Sequence, residues 1–336
     1  MSLPVPPDDL PELAALSARV GADPLLIQAA GGNTSIKADG VMWIKASGTL
    51  LADALTRNVF VPVDLPAMRA GLDDPSVNAD QPAQFLIGGA DLRPSIETSL
   101  HAVFPQRVVV HVHCIQTLAH AVRADAAALL AERLRDFDHA VVPYAKPGAN
   151  LARLVRSAMG PKTDVIVLRN HGLIVAAESV ADAERLLGQV VDALTIAPAA
   201  PRPVDSAALE AMATYGWVVP DPDARVHQLA LDEARMRQAT GGSLYPDHVI
   251  FCGVGAEMVS DGSLPDASDA PAFLIVTGKG VVMRADASNG ARALSQCLAD
   301  VLLRVPADAT LAYLTRDQNA ELLDWDAEKY RKALNA

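Results

Sequence analysis

The chain has 336 residues, 51% of them apolar and 20% charged, with 28 Lys+Arg against 40 Asp+Glu and a net charge of −12. That composition is globular, and the length accommodates one large domain or two ordinary ones, each able to bury a core without covalent staples. The acidic balance excludes a broad nucleic-acid footprint or an anionic membrane surface as partner, while leaving room for a local pocket that takes an anionic metabolite.

Residues 1–10 are rich in Pro and Asp and read as a loose lead-in. A helix is predicted over 11–20, stopped near Gly21, and a short apolar run at 25–29 halts at Gly31-Gly32. Two strand-like runs, 34–37 and 41–45, flank Ala38-Asp39-Gly40. Asp-Gly between such runs signals a hairpin, here closed by Ser47-Gly48. A helix is predicted to start at Ser95, with Ser95 as N-cap and Glu97 in the first turn, where the dipole favours a carboxylate. The clearest strand is 106–113; helices follow over 115–122 and 126–135, then a strand over 140–143 and a helix over 149–158. Strands at 165–168 and 173–176 and a helix over 181–194 complete this part. The loose alternation, with hairpins in it, predicts a sheet covered by helices on both faces and at least some antiparallel pairing.

The segment TIAPAAPRPVDS, with three prolines in twelve residues, reads as a stiff extended linker. It divides a domain at 1–195 from a smaller C-terminal α/β unit at 207–336, with 196–206 as the linker. In that unit the expected elements are a helix at 229–238, strands at 249–252, 273–277 and 281–284, and a Gly278-Lys279-Gly280 turn. A helix at 291–303 with Ser288 before it as cap, and a polar helix at 324–334, complete it. Cys114, Cys252 and Cys297 are widely spaced and form no paired pattern, which suits a reducing, cytoplasmic compartment. The opening MSLPVPPDDL lacks a basic stretch followed by an apolar one, so no secretory leader is expected. No apolar run reaches the roughly 18 residues that a membrane span needs.

His111-Val112-His113 is the first candidate for chemistry. Residues i and i+2 of a strand share a face, so the two imidazoles lie roughly 6–7 Å apart along it and can reach one ion. Imidazole nitrogen suits zinc and related divalent metals. Two polar residues on a solvent-facing strand is the plain alternative, but three valines lead into the pair. A third histidine, in Asn170-His171-Gly172, lies between the apolar runs VIVL and LIVAA; alone it reads equally as a turn histidine. Three neutral histidines and one open position make a catalytic rather than a closed structural site. Glu97 serves either the helix dipole or the metal, as fourth ligand or base. His101, one turn later, is read as a core or surface histidine, with a supporting position behind the metal as the alternative. Gly31-Gly32-Asn33-Thr34-Ser35, with Ser47-Gly48, offers free N–H groups and hydroxyls that can cradle an oxyanion, or merely turns the chain. No Gly-Lys-Ser/Thr follows, so it is not a nucleotide P-loop. His248 beside Asp247 reads as a surface pair, Lys279 as a turn residue and Cys114 as core.

The ordered motifs GGNTS, KASG, SIE, HVH, VPYA and NHG resemble the class II aldolase/adducin family over roughly residues 10–195. The remainder, with Tyr245-Pro246-Asp247-His248 and Asp324-Trp325-Asp326, is similar to the aldolase half of bifunctional rhamnulose-1-phosphate aldolase/alcohol dehydrogenase proteins. No Rossmann glycine fingerprint is present, so coupled aldehyde oxidation or reduction is not expected. The resemblance implies a three-layer α/β/α class II aldolase fold with a central mixed or largely antiparallel sheet. It implies that His111, His113 and His171 bind one divalent metal, most often Zn2+, with Mn2+ or Co2+ as alternatives. By the same resemblance Glu97 is the acid-base residue and approaches the metal. Gly32, Asn33, Ser47, Gly48 and Ser95 hold the substrate phosphate, and Tyr144 is a proton donor in a neighbouring subunit's site. Such proteins are homo-oligomers, typically tetramers, with sites between subunits. Where sugar-phosphate aldolases carry Ser-Ser-Glu, this chain has Ser95-Ile96-Glu97, one hydroxyl fewer at the anion site. The expected activity is metal-dependent aldol cleavage of a ketose or ketose phosphate through a stabilised enediolate. Epimerase, dehydratase and decarboxylase chemistry are the alternatives, with a non-catalytic adducin-like scaffold or a metal hydrolase behind them.

Overall fold

The computed structural model describes residues 3–89, 92–213, 215–260 and 264–323. Two compact units divide the chain: residues 1–117 with 127–194, and residues 118–126 with 195–336.

In the first unit, β1 (Asn33–Ala38), β2 (Val41–Lys45), β3 (Phe60–Asp64), β4 (Val108–Val112), β5 (His139–Val142), β6 (Val165–Leu168) and β7 (Gly172–Ala177) form one sheet in the order β3-β2-β1-β4-β7-β6-β5. Every neighbouring pair is antiparallel except β5 with β6. The β1–β2 turn is Asp39-Gly40, both with positive φ, as the Asp-Gly signal predicts. Helices α1 (Leu10–Ala22) and α7 (Val180–Ala193) pack on one face of the sheet. On the other lie α2 (Leu65–Asp73), α3 (Thr98–Ala102) and α6 (Ala149–Ala158), whose apolar side chains share a core with Met42, Ile44, Val109, Ile166 and Ile174. Strand alternation sorts β4 between these layers: Val109 and His111 face α3, while Val108, Val110 and Val112 face the other way. The result is a three-layer α/β/α fold with a mixed, largely antiparallel sheet. Helices α4 (Ile115–Ala121) and α5 (Ala126–Arg133) follow β4.

Ser95 does not cap a helix. Its hydroxyl and carbonyl close a tight turn on Glu97 N and Thr98, and α3 begins only at Thr98, with Glu97 at the cap position. The carboxylate is therefore spared for contacts away from the helix.

The second unit carries a smaller sheet in the order β8-β11-β10-β9, from β8 (Trp217–Val218), β9 (Glu257–Val259), β10 (Phe273–Val276) and β11 (Gly280–Arg284). Its helices are α8 (Ser206–Met212), α9 (Glu233–Thr240), α10 (Pro246–Cys252), α11 (Asn289–Leu302) and α12 (Arg316–Leu323). Ser288 caps α11 by accepting from Ala291 N. The run 249–252, expected as a strand, is helical: Pro246 fixes φ at the first turn, and four apolar residues are too few to reveal a period. The helix expected at 229–238 starts later, at Glu233, after a 3-10 turn at Arg225–Leu229. His248 and Asp247 are buried, not a surface pair. The helix expected at 324–334 lies outside the described residues. Among the described residues, no helix is long and apolar enough to cross a membrane.

Candidate active site

Strand register brings the candidate residues to one end of the first sheet. Asn33, at the start of β1, pairs with His111 at the end of β4, and His111 pairs across with Ile174 near the start of β7. β2 ends at the same edge, leading into Ser47-Gly48, and β6 ends there in the loop Arg169-Asn170-His171, with Asn170 at φ 55. Asparagine tolerates that left-handed conformation, which lets a three-residue loop return the chain into β7. Tyr144 follows β5, whose end lies beside that of β6.

Two glycines make the close approaches. Gly32 has φ +59, and a Cβ there would stand 2.7 Å from His111 O. A Cβ on Gly172 would stand 2.5 Å from Val112 O and 3.2 Å from the His111 ring. Both chain crossings need a residue without a side chain.

The three imidazoles converge. Ring centroids are 5.1 Å apart for His111 and His113, 4.9 Å for His111 and His171, and 5.3 Å for His113 and His171. One ligand atom from each lies within 4.8 Å of the others, and all three residues are buried. His111 Nδ1 donates to Leu173 O at 3.0 Å, which leaves the lone pair on Nε2. Glu97 Oε1 lies 3.5 Å from His111 Nε2 and 3.3 Å from His171 Nε2. A carboxylate oxygen facing imidazole lone pairs is a donor set that a divalent cation reconciles, so the residues fit a metal.

Glu97 is held from its other side. Asn33 Nδ2 donates to Glu97 Oε2 at 2.7 Å and to Ser95 Oγ at 3.2 Å. Burial is the largest influence on the Glu97 carboxyl and opposes ionisation, but positive charge at His111, His171 and His113, as on the protonated rings without an ion, together with the Asn33 amide outweighs it and brings its pKa down to about 2. The carboxylate is the working form.

Asn33 thus turns its side chain inward, on Glu97, Ser95 and His101, instead of presenting it to an anion. Gly32, Ser47, Gly48 and Ser95 remain around the start of β1 and the end of β2; Ser47 N donates to Arg93 O, and Ser95 N to Lys45 O. His101, read from sequence as core or surface, is buried directly behind Asn33, with its other ring nitrogen 2.7 Å from Ser35 Oγ. The sequence carried the signal: His101 is four residues from Glu97 on a helical face, and Ser35 two from Asn33 on a strand face. Cys114 is buried in the core, as expected.

Residues 11–197 match the family described as the Class II Aldolase and Adducin N-terminal domain. This chain belongs to the class II aldolase/adducin family. The N-terminal class II aldolase domain of a conserved protein from Thermoplasma acidophilum superposes with a TM-score of 0.50 and 26% identity, covering 58% of this chain and 95% of that one. An L-fuculose-1-phosphate aldolase from Thermus thermophilus gives 0.39 and 20%, covering 55% and 93%. A curated Bacillus subtilis protein described as the uncharacterized oxidoreductase YuxG is 29% identical over 188 residues, 52% of this chain. The match spans 27% of that relative's length.

Proposed function

We propose that this class II aldolase/adducin family member is a divalent-metal-dependent lyase that cleaves a ketose or ketose phosphate by retro-aldol chemistry, at the bond between the carbons α and β to its carbonyl. The observation that carries the reading is Glu97: one oxygen is held by Asn33, and the other faces the histidine cluster. His111, His113 and His171 would hold the ion, for which zinc is the first choice and manganese or cobalt the alternatives. When bound, it supplies Lewis-acid stabilisation of the negative charge that develops beside the carbonyl.

The chain's own groups do the rest. Glu97, ionised and buried, moves the proton to and from the carbon next to the carbonyl. That role requires its Oε1 to turn away from the histidines when substrate enters, while Oε2 keeps Asn33. Gly32, Ser47, Gly48 and Ser95 bind the anionic end of the substrate through N–H and hydroxyl groups. Tyr144, contributed by a neighbouring copy in a homo-oligomer, exchanges a proton with the aldehyde oxygen.

The test is product analysis on zinc-loaded protein with a panel of ketoses and ketose 1-phosphates, beside Glu97→Gln. Two carbonyl fragments from wild type, lost in the variant, are expected. One new diastereomer would replace the reading with epimerase chemistry, and released carbon dioxide with decarboxylation. Full ion content and full turnover in Glu97→Gln would end the role given to that residue.

A further inference from the structure

We infer that His101 is a positioning residue: with Ser35 behind it, it fixes the orientation of the Asn33 amide and through it the Glu97 carboxylate. The inference rests on the lyase reading above. The four side chains form one line of hydrogen bonds. Ser35 Oγ is 2.7 Å from His101 Nδ1, His101 Nε2 meets Asn33 Oδ1, and Asn33 Nδ2 is 2.7 Å from Glu97 Oε2. All four residues are buried.

One assignment of hydrogens satisfies every contact. A carboxylate only accepts, so the Asn33 group facing Glu97 is its NH2. Asn33 Oδ1 then faces His101, so His101 Nε2 carries the hydrogen. His101 is fully buried and its two ring nitrogens meet a hydroxyl and an amide, with no carboxylate among them to stabilise a charge, so the ring is neutral and Nδ1 is an acceptor. The Ser35 hydroxyl therefore donates to Nδ1. Every bond points toward the carboxylate, and such aligned dipoles reinforce one another. The other tautomer, with the hydrogen on Nδ1, turns Asn33 over and sets its carbonyl against the Glu97 carboxylate, two acceptors face to face.

The line acts on the carboxylate and not on the histidine cluster, because His111 takes its own orientation from Leu173 O. It holds Oε2 in place, so Oε1 is the oxygen free to swing. Supporting contacts of this kind typically contribute a factor of about 10–100.

The test uses full-length protein with ¹⁵N-labelled histidine, as wild type, Ser35→Ala and Ser35→Thr. Nitrogen spectra are expected to show His101 as the Nε2–H tautomer in wild type and Ser35→Thr, and as a tautomer mixture in Ser35→Ala. Zinc content stays level in all three. The kcat for sugar cleavage falls about tenfold in Ser35→Ala with KM within about twofold, and Ser35→Thr restores it. Wild-type His101 with its hydrogen on Nδ1 would overturn the proposal, as would a Ser35→Ala protein with unchanged tautomer and kcat. If wild type cleaves no sugar in the panel, the lyase reading fails by itself, and the nitrogen spectra still decide the order of the hydrogen bonds.

Discussion

Both units bury histidines, and they use them in opposite ways. In the second unit His227 and His248 are taken up by main chain. His227 accepts from Val281 N at 3.0 Å and donates to Asp221 O at 3.1 Å, while His248 donates to Gly255 O at 2.9 Å. These imidazoles pin loops. In the first unit His111 spends one nitrogen on main chain and turns the other toward His113, His171 and Glu97. Burial alone therefore says little about a histidine. Convergence of the second nitrogen with others is what separates the clustered rings from the fasteners.

That contrast is open to direct attack. The largest effect is expected from His113→Ala, which should lose nearly all bound ion by elemental mass spectrometry and bring turnover to background. Retention of the ion would erase the distinction between the two groups. Glu97→Gln should keep most of the ion, since three imidazoles remain, and lower kcat by about 10²–10⁴-fold. On the other side, His248→Leu should leave ion content and turnover untouched. It removes the donor to Gly255 O and should cost about 1–3 kcal/mol in urea unfolding. Loss of ion in that variant would mean that the second unit serves the site.

A fourth test sharpens the comparison with a cation. Lys37 is buried on the same face of β1 as Asn33 and Ser35, and donates to Phe104 O at 3.0 Å and Gln106 O at 2.7 Å. Burial, then Arg69, lower its pKa to about 7, with Glu178 opposing. Between pH 7 and the ordinary lysine value near 10.5, the unfolded chain holds a proton that the folded one does not. Stability from this group therefore rises with pH across that window. Wild type measured against Lys37→Met should gain up to about 1.4 kcal/mol per pH unit there. A flat difference would show that Lys37 stays charged in the fold.

Much of this was legible in the sequence, for reasons that can be named. Asp39-Gly40 between two alternating runs announces a hairpin, and Val-Val-Val-His-Val-His states strand, shared face and imidazole spacing at once. The motif order pointed to the fold family. What sequence hides is pairing at a distance. That His171 comes to His111 depends on β7 lying against β4, some 60 residues away along the chain. That Asn33 serves Glu97 depends on β1 lying on the other side of β4, beneath the turn that carries Ser95. His101 was underrated because its partners, Asn33 and Ser35, are nearly seventy positions earlier. The run at 249–252 failed for a local reason: four apolar residues fit either period, and only Pro246 breaks the tie.

The strand order also sets a timetable. β4 is flanked by β1, made before it, and by β7, made after it. A nascent chain can pair the first of those edges once residue 112 has emerged, but the second stays bare until residue 177 is out. In that interval a five-residue, fully buried, valine-rich strand offers an open edge, the kind of template that invites pairing between chains. The β6–β7 hairpin that covers it also delivers His171. Closing that exposed edge and bringing His171 to the histidine cluster both follow from pairing β7 with β4.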